Sequence, residues 1–256
     1  MKIQAFSCAR PLPERMDSMC EPATAAELDA LIADEAYTQD LGRSVYLVAR
    51  RDGELVRRGI VCCGDVDELA ALAQAAGAEA VAKATGIDAE AASNGEEATV
   101  ATAGADGGDT GVEAVAAGRL RALGAHAEPI VVEHSPSFAL DVIVGAAQTA
   151  TPLYNLSNGT ETQVVVWRVS RQDAVDAICA ALAAEPGKLA GEGEALTANA
   201  CAAAAAAALA AEARAKRAEL DERAAVLHPL CLLVPAGQDM SIPLLPCNGL
   251  LLHRFA

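Results

Sequence analysis

The sequence predicts an α+β fold: a mixed sheet with two β-hairpins, packed on helices around a long central alanine-rich helix. Three observations predict it. Two pairs of β-rich runs flank Asp52-Gly53 and Asn158-Gly159, dipeptides that accept the positive φ of a tight hairpin. Helix-periodic segments are scattered among the strands rather than alternating with them, which argues against a doubly wound parallel sheet. An unbroken alanine run at 202–208 supplies the strongest helix former in consecutive positions.

Taken in order, residues 2–6 alternate and predict a first strand. Thr24 followed by Glu27 is a capping box, and Leu28, Leu31 and Ile32 give the helical spacing behind it. Residues 44–63 form the first hairpin. Arg50, Arg51, Arg57 and Arg58 crowd its turn, either as a solvated, charge-protected hairpin end or as an anion site. A helix follows over 65–81, with Leu69 and Leu72 on one face. Residues 86–112 are Gly, Ala, Asp, Glu, Ser and Thr with little to bury, so a flexible acidic loop is expected inside a single domain spanning 1–256. Further helices are expected over 113–123, 137–149 and 171–184, the last capped by Ser170 and ended by Pro186-Gly187. Strands are expected over 129–132, 153–156 and 162–169. The long helix is placed over about 195–223, and the last strands over 227–234 and 244–254.

Composition narrows the function classes. The 256 residues carry 35 acidic and 19 basic side chains, a net charge of −16. Such a surface repels phosphate backbones and anionic membranes, so neither nucleic acid nor a membrane is an expected partner. The N-terminus lacks the apolar core of a signal peptide. No run reaches the roughly 18 apolar residues of a membrane span; the nearest is residues 200–211. Eight cysteines without a C-x-x-C spacing, mostly in apolar runs, read as buried thiols in a reducing cytoplasm. His126, His134, His228 and His253 show no metal-ligand spacing, and no Walker A, G-x-G-x-x-G or G-x-S-x-G motif occurs.

One junction carries chemical interest. Lys188-Leu189-Ala190-Gly191-Glu192-Gly193-Glu194-Ala195 leads from a short strand through a glycine turn into the long helix. A helix N-terminus offers unpaired N–H groups to an anion. Glu192 and Glu194 would instead satisfy those groups themselves and repel phosphate, or one of them would act as general base or Mg²⁺ ligand.

Several stretches resemble a family. The opening Met1-Lys2-Ile3-Gln4-Ala5-Phe6 with Arg10-Pro11, the hairpin over 46–63, Gly118-Arg119-Leu120-Arg121 before Pro129-Ile130-Val131-Val132, Pro152-Leu153-Tyr154 with Trp167-Arg168-Val169, and residues 231–248 occur in the order found in the N-terminal part of the bacterial domain of unknown function 1015 family. That resemblance implies a fold akin to ParB N-terminal domains, sulfiredoxin and free-serine kinases; members of the family usually continue into a C-terminal domain, before which this sequence stops. The family's signature is Ala-Asp-Gly-His-His-Arg at the strand-to-helix junction. Here it reads Gly191-Glu192-Gly193-Glu194-Ala195-Leu196: Gly193 and the acid at Glu192 remain, and Glu194, Ala195 and Leu196 replace both histidines and the arginine. The resemblance thus implies a catalytically degenerate binding or regulatory module. The second reading is a nucleotide- and Mg²⁺-dependent small-molecule phosphotransferase. It makes Glu192 and Glu194 the catalytic residues, with Gly191 and Gly193, and Arg119, Arg121 or the hairpin arginines, holding phosphate. Convergence of those arginines on the turn would favour it. A third reading is a homodimer that covers an apolar patch around residues 250–255.

Overall fold

A computed structural model describes residues 1–85, 109–157, 162–184, 187–217, 220–222 and 224–255. Its main sheet has eight strands, mixed in direction, and the fold is α+β as expected. The hairpin of β4 (Val45–Asp52) and β5 (Leu55–Gly64) lies at its centre, turning through Gly53 at φ +62°. β9 (Thr162–Val169) and then β8 (Tyr154–Ser157) extend the sheet beyond β4. β11 (Leu230–Pro235), β7 (Ile130–His134) and β10 (Lys188–Leu189) extend it beyond β5. Only the β7–β11 pairing is parallel. The short β1 (Ile3–Gln4) pairs with the end of β5. The Asn158-Gly159 turn, Pro186 and the loop expected over 86–108 lie outside the described residues.

The period-two alternation of these strands divides the protein into two cores. Val45, Leu47, Ile60, Cys62, Cys231 and Leu233 face the helices. Those helices are α2 (Val66–Thr85), α4 (Phe138–Ala147), α5 (Gln172–Ala183) and α6 (Glu194–Lys216). Tyr46, Val48, Val61, Cys63, Leu230 and Leu232 face the other side, where Leu244, Leu245, Leu250 and Leu251 cover them. The adjacent Cys62 and Cys63 therefore belong to different cores. A third cluster joins α1 (Ala25–Ala33) to the two-stranded sheet of β2 (Ala9–Pro11) and β3 (Tyr37–Gln39). It also includes the end of α3 (Asp109–Leu123) and Ala125 of β6 (Ala125–His126), which pairs with β12 (His253–Arg254).

Several expected boundaries move for physical reasons. α3 begins at Asp109, so residues 109–112 are helical rather than loop. Arg171, not Ser170, occupies the N-cap of α5, and no side chain caps it. α6 stops at Lys216 because Arg217 is extended (φ −127°), after which Leu220 and Val226 return to the core. Residues 244–254 form no strand before His253: turns around Pro246 and Gly249 fold the segment over the sheet. Leu250, Leu251 and Leu252 are fully buried there, so this segment presents no apolar docking face. α6 alone among the described helices is long and apolar enough to cross a membrane by length and composition. In this fold Ala203, Ala206, Leu209 and Ala210 bury one side of it in the helix-side core.

Candidate functional site

The strand, glycine turn and helix start predicted around residues 188–195 all form. β10 is the edge strand, paired with β7, which places the turn at that edge of the main sheet. Gly191 (φ +98°) and Gly193 (φ +54°) both hold left-handed backbone, which glycine enters without a Cβ penalty. A Cβ on Gly191 would also meet Ala195 Cβ at 3.0 Å. Asn199 pins the junction from one turn inside α6. Its Oδ1 accepts from Val131 N–H (3.2 Å) and its Nδ2 donates to the Ala190 carbonyl (2.8 Å). Sequence reasoning passed over Asn199; an amide amid alanines in a helix was the available signal.

Glu192 and Glu194 are exposed. The expected self-capping is not made: the Ala195 and Thr197 N–H groups are taken by the carbonyls of Glu192 (3.2 Å) and Gly193 (3.1 Å), with no side-chain cap. Arg119 and Arg121 do not converge on this turn. Arg119 pairs with Glu128 at 3.7 Å. Arg121 pairs with Glu212, which lies about 27 Å along α6 from Glu194 at the helical rise. Gly191, Glu192, Gly193 and Glu194 thus sit together, Arg121 stands apart from them, and Arg119 pairs with Glu128 rather than with the turn.

The hairpin arginines divide by face. Arg50 and Arg57 point towards the C-terminal segment. Arg50 Nε pairs with Asp52 at 3.0 Å and Arg50 Nη1 donates to the Pro243 carbonyl. The buried Arg57 pairs with Asp52 (3.6 Å) and Asp239 (3.7 Å). The carboxyl of Asp52 is held below its usual range chiefly by its hydrogen bond from Arg50. Arg51 and Arg58 lie on the opposite, helix-bearing face, and both are exposed.

A larger polar constellation went unread in the sequence. The buried Asp40 carboxylate accepts from Arg10 Nε (3.1 Å) and Tyr46 Oη (2.5 Å), and forms ion pairs with Arg10 Nη2 at 3.0 Å and Arg168 Nε at 3.3 Å. Arg168 Nε also donates to Ser44 Oγ (2.9 Å), and Tyr154 Oη to the Pro11 carbonyl (2.5 Å). Burial, reinforced by the neighbouring Cys8 and Asp40, pushes the Tyr46 phenol far above its ordinary range. Burial likewise raises Tyr154 to about 12. The cluster clips the β2–β3 arm onto the sheet. Its only available signal was Arg10, a lone cation in the apolar stretch Cys8-Ala9-Arg10-Pro11-Leu12.

A cleft of about 370 Å³ opens beside it, lined by Ser7, Gln39, Arg43 and His253 among others. His253 Nδ1 lies 3.1 Å from Cys63 Sγ and 3.0 Å from the His228 carbonyl. A carbonyl can only accept, so Nδ1 carries the proton. Burial lowers His253 to about 4 and raises the Cys63 thiol well above its usual value. The pair therefore stays neutral, with Cys63 sealed from solvent, unlike an activated thiolate–imidazolium. No group of three or more His, Cys, Asp or Glu among the described residues could hold a metal.

No protein-family model, curated protein or solved structure matches the chain.

Proposed function

We propose that the chain is a catalytically degenerate relative of the ParB-like, serine-kinase-like superfamily, kept as a cytoplasmic binding or regulatory module. One observation carries this reading. The arginines needed to neutralise a transferring phosphoryl group are committed elsewhere, Arg119 to Glu128 and Arg121 to Glu212. Phosphoryl transfer depends on positioned positive charge, and the Gly191–Glu194 turn offers two exposed carboxylates instead. A second observation agrees with the family resemblance. Arg10, Tyr46 and Arg168, from three of the short stretches that carry it, meet at Asp40.

The test is turnover. Purified protein incubated with ATP, ADP or CTP, with and without L-serine and Mg²⁺, should release phosphate or form phosphoserine no faster than buffer. A Glu192→Ala variant should behave identically. Turnover in the wild type that Glu192→Ala abolishes would establish the phosphotransferase reading and overturn this one.

A further inference from the structure

The end of the central hairpin carries a pocket independent of the Gly191–Glu194 turn. Register sets out its floor on the helix-bearing face of β5, β4 and β9. Val56, Arg51 and Gln163 form the outermost cross-strand row, then Arg58, Ala49 and Val165, then Ile60, Leu47 and Trp167. The helices cover the inner row, burying Leu47 and Ile60 almost completely. They stop short of the outer two. Ala49 is the small residue at the centre, so the larger side chains around it stand up as walls. Gln148, just past the end of α4, closes one side. The pocket, open to solvent on one side, has a volume of about 180 Å³.

Charge distinguishes this pocket from the reverse face of the hairpin. Its two cations, Arg51 and Arg58, form no ion pair or side-chain hydrogen bond among the described residues, whereas Arg50 and Arg57 on the reverse face are neutralised by Asp52 and Asp239. Two unneutralised guanidiniums beside two carboxamides offer only donors and amide dipoles, which match an oxyanion. The remaining lining, Val56, Val165 and Trp167, is apolar or aromatic. The Trp167 indole N–H is itself buried without a hydrogen-bond partner.

We propose that this pocket binds a small organic anion. A carboxylate or phosphate group lies between Arg51 and Arg58, and a short planar or apolar body lies against Val165 and Trp167. The size follows from the volume of about 180 Å³, which suits a compact metabolite-sized acid. The proposal goes beyond the degenerate-module reading and stands whether or not Glu192 is catalytic.

Trp167 is the sole tryptophan in the chain, so its intrinsic fluorescence reports from the site itself. The experiment titrates wild-type protein at low ionic strength with benzoate, phenyl phosphate, acetate and inorganic phosphate, each against sodium chloride of matched ionic strength. The expected result is a saturable fluorescence change with benzoate or phenyl phosphate, with acetate and inorganic phosphate weaker. The stronger of the two aromatic probes assigns the head group as carboxylate or phosphate. Arg51→Ala and Arg58→Ala, both at exposed positions, should each raise the apparent Kd about tenfold, as expected for loss of a charge-assisted hydrogen bond. Glu192→Ala should leave it unchanged, which separates this site from the turn. A response no different from chloride, or one that survives both arginine substitutions, overturns the proposal.

Discussion

Asp40 is the residue on which the second core depends. Arg10, Arg168 and Tyr46 all address its carboxylate from different elements. Removing one member of a buried ion network leaves the others desolvated without compensation, at a cost of about 3–5 kcal/mol. Asp40→Ala should therefore lower the unfolding free energy by that amount in urea titration, and Tyr46→Phe by only about 1 kcal/mol, the usual net value of one hydrogen bond. Equal effects of the two would mean that Asp40 does not organise the cluster. None of this was legible in the sequence. The partners stand 6 to 128 positions from Asp40, and no periodicity marks them. Thr24 is the contrasting case: its Oγ1 accepts from Glu27 N–H at 3.2 Å, and the Glu27 carboxylate reaches back to Ala23 N–H. That local capping was readable because all of its atoms lie within five residues. Thr24→Ala should cost about 1 kcal/mol.

At the scale of elements, legibility followed locality. The β4–β5 hairpin and its turn were readable from Asp52-Gly53 and two β-rich runs. α4 formed within the expected 137–149, starting from Ser137, whose hydroxyl accepts from Leu140 N–H at 3.4 Å. The 244–254 segment was misread because its leucines are apolar for tertiary reasons: they cover the sheet without joining it. The N-terminal junction of α6 formed where expected, but its chemistry depends on where distant arginines point, and sequence order does not reveal that. α6 also shows how alanine works at the element scale. Ala203, Ala205, Ala206 and Ala210 are almost wholly buried, and their small size allows α2 and α3 to pack close. An Ala206→Leu variant should lose about 1–3 kcal/mol by overpacking, read as a lower midpoint in urea with an unchanged slope. An unchanged or raised midpoint would show that the α6 packing has room to spare.

Across the whole molecule, two buried histidines oppose stability in acid. Burial holds His126 at about 3 and His253 at about 4, well below the ordinary 6.5. The unfolded chain protonates both near that ordinary value, so between roughly 6.5 and 3 it binds more protons than the folded chain. Stability is therefore undiminished by these groups above the unfolded value. It falls as pH drops through this window. His126 Nε2 has no hydrogen-bond partner, so His126→Leu should move the acid-unfolding midpoint to lower pH, measured by circular dichroism. An unchanged midpoint would place the acid sensitivity in the carboxylates instead.

The central claim at this scale is that anion binding belongs to Arg51 and Arg58 on the hairpin, and not to the Gly191–Glu194 turn. Amide hydrogen exchange, with and without Mg²⁺-ATP and with and without phenyl phosphate, tests it in one measurement. The account predicts unchanged exchange across residues 191–197 with either ligand, and slowed exchange in 49–58 and 163–167 with phenyl phosphate. Protection of residues 191–197 by Mg²⁺-ATP would contradict it and return the turn to the role of a phosphate site.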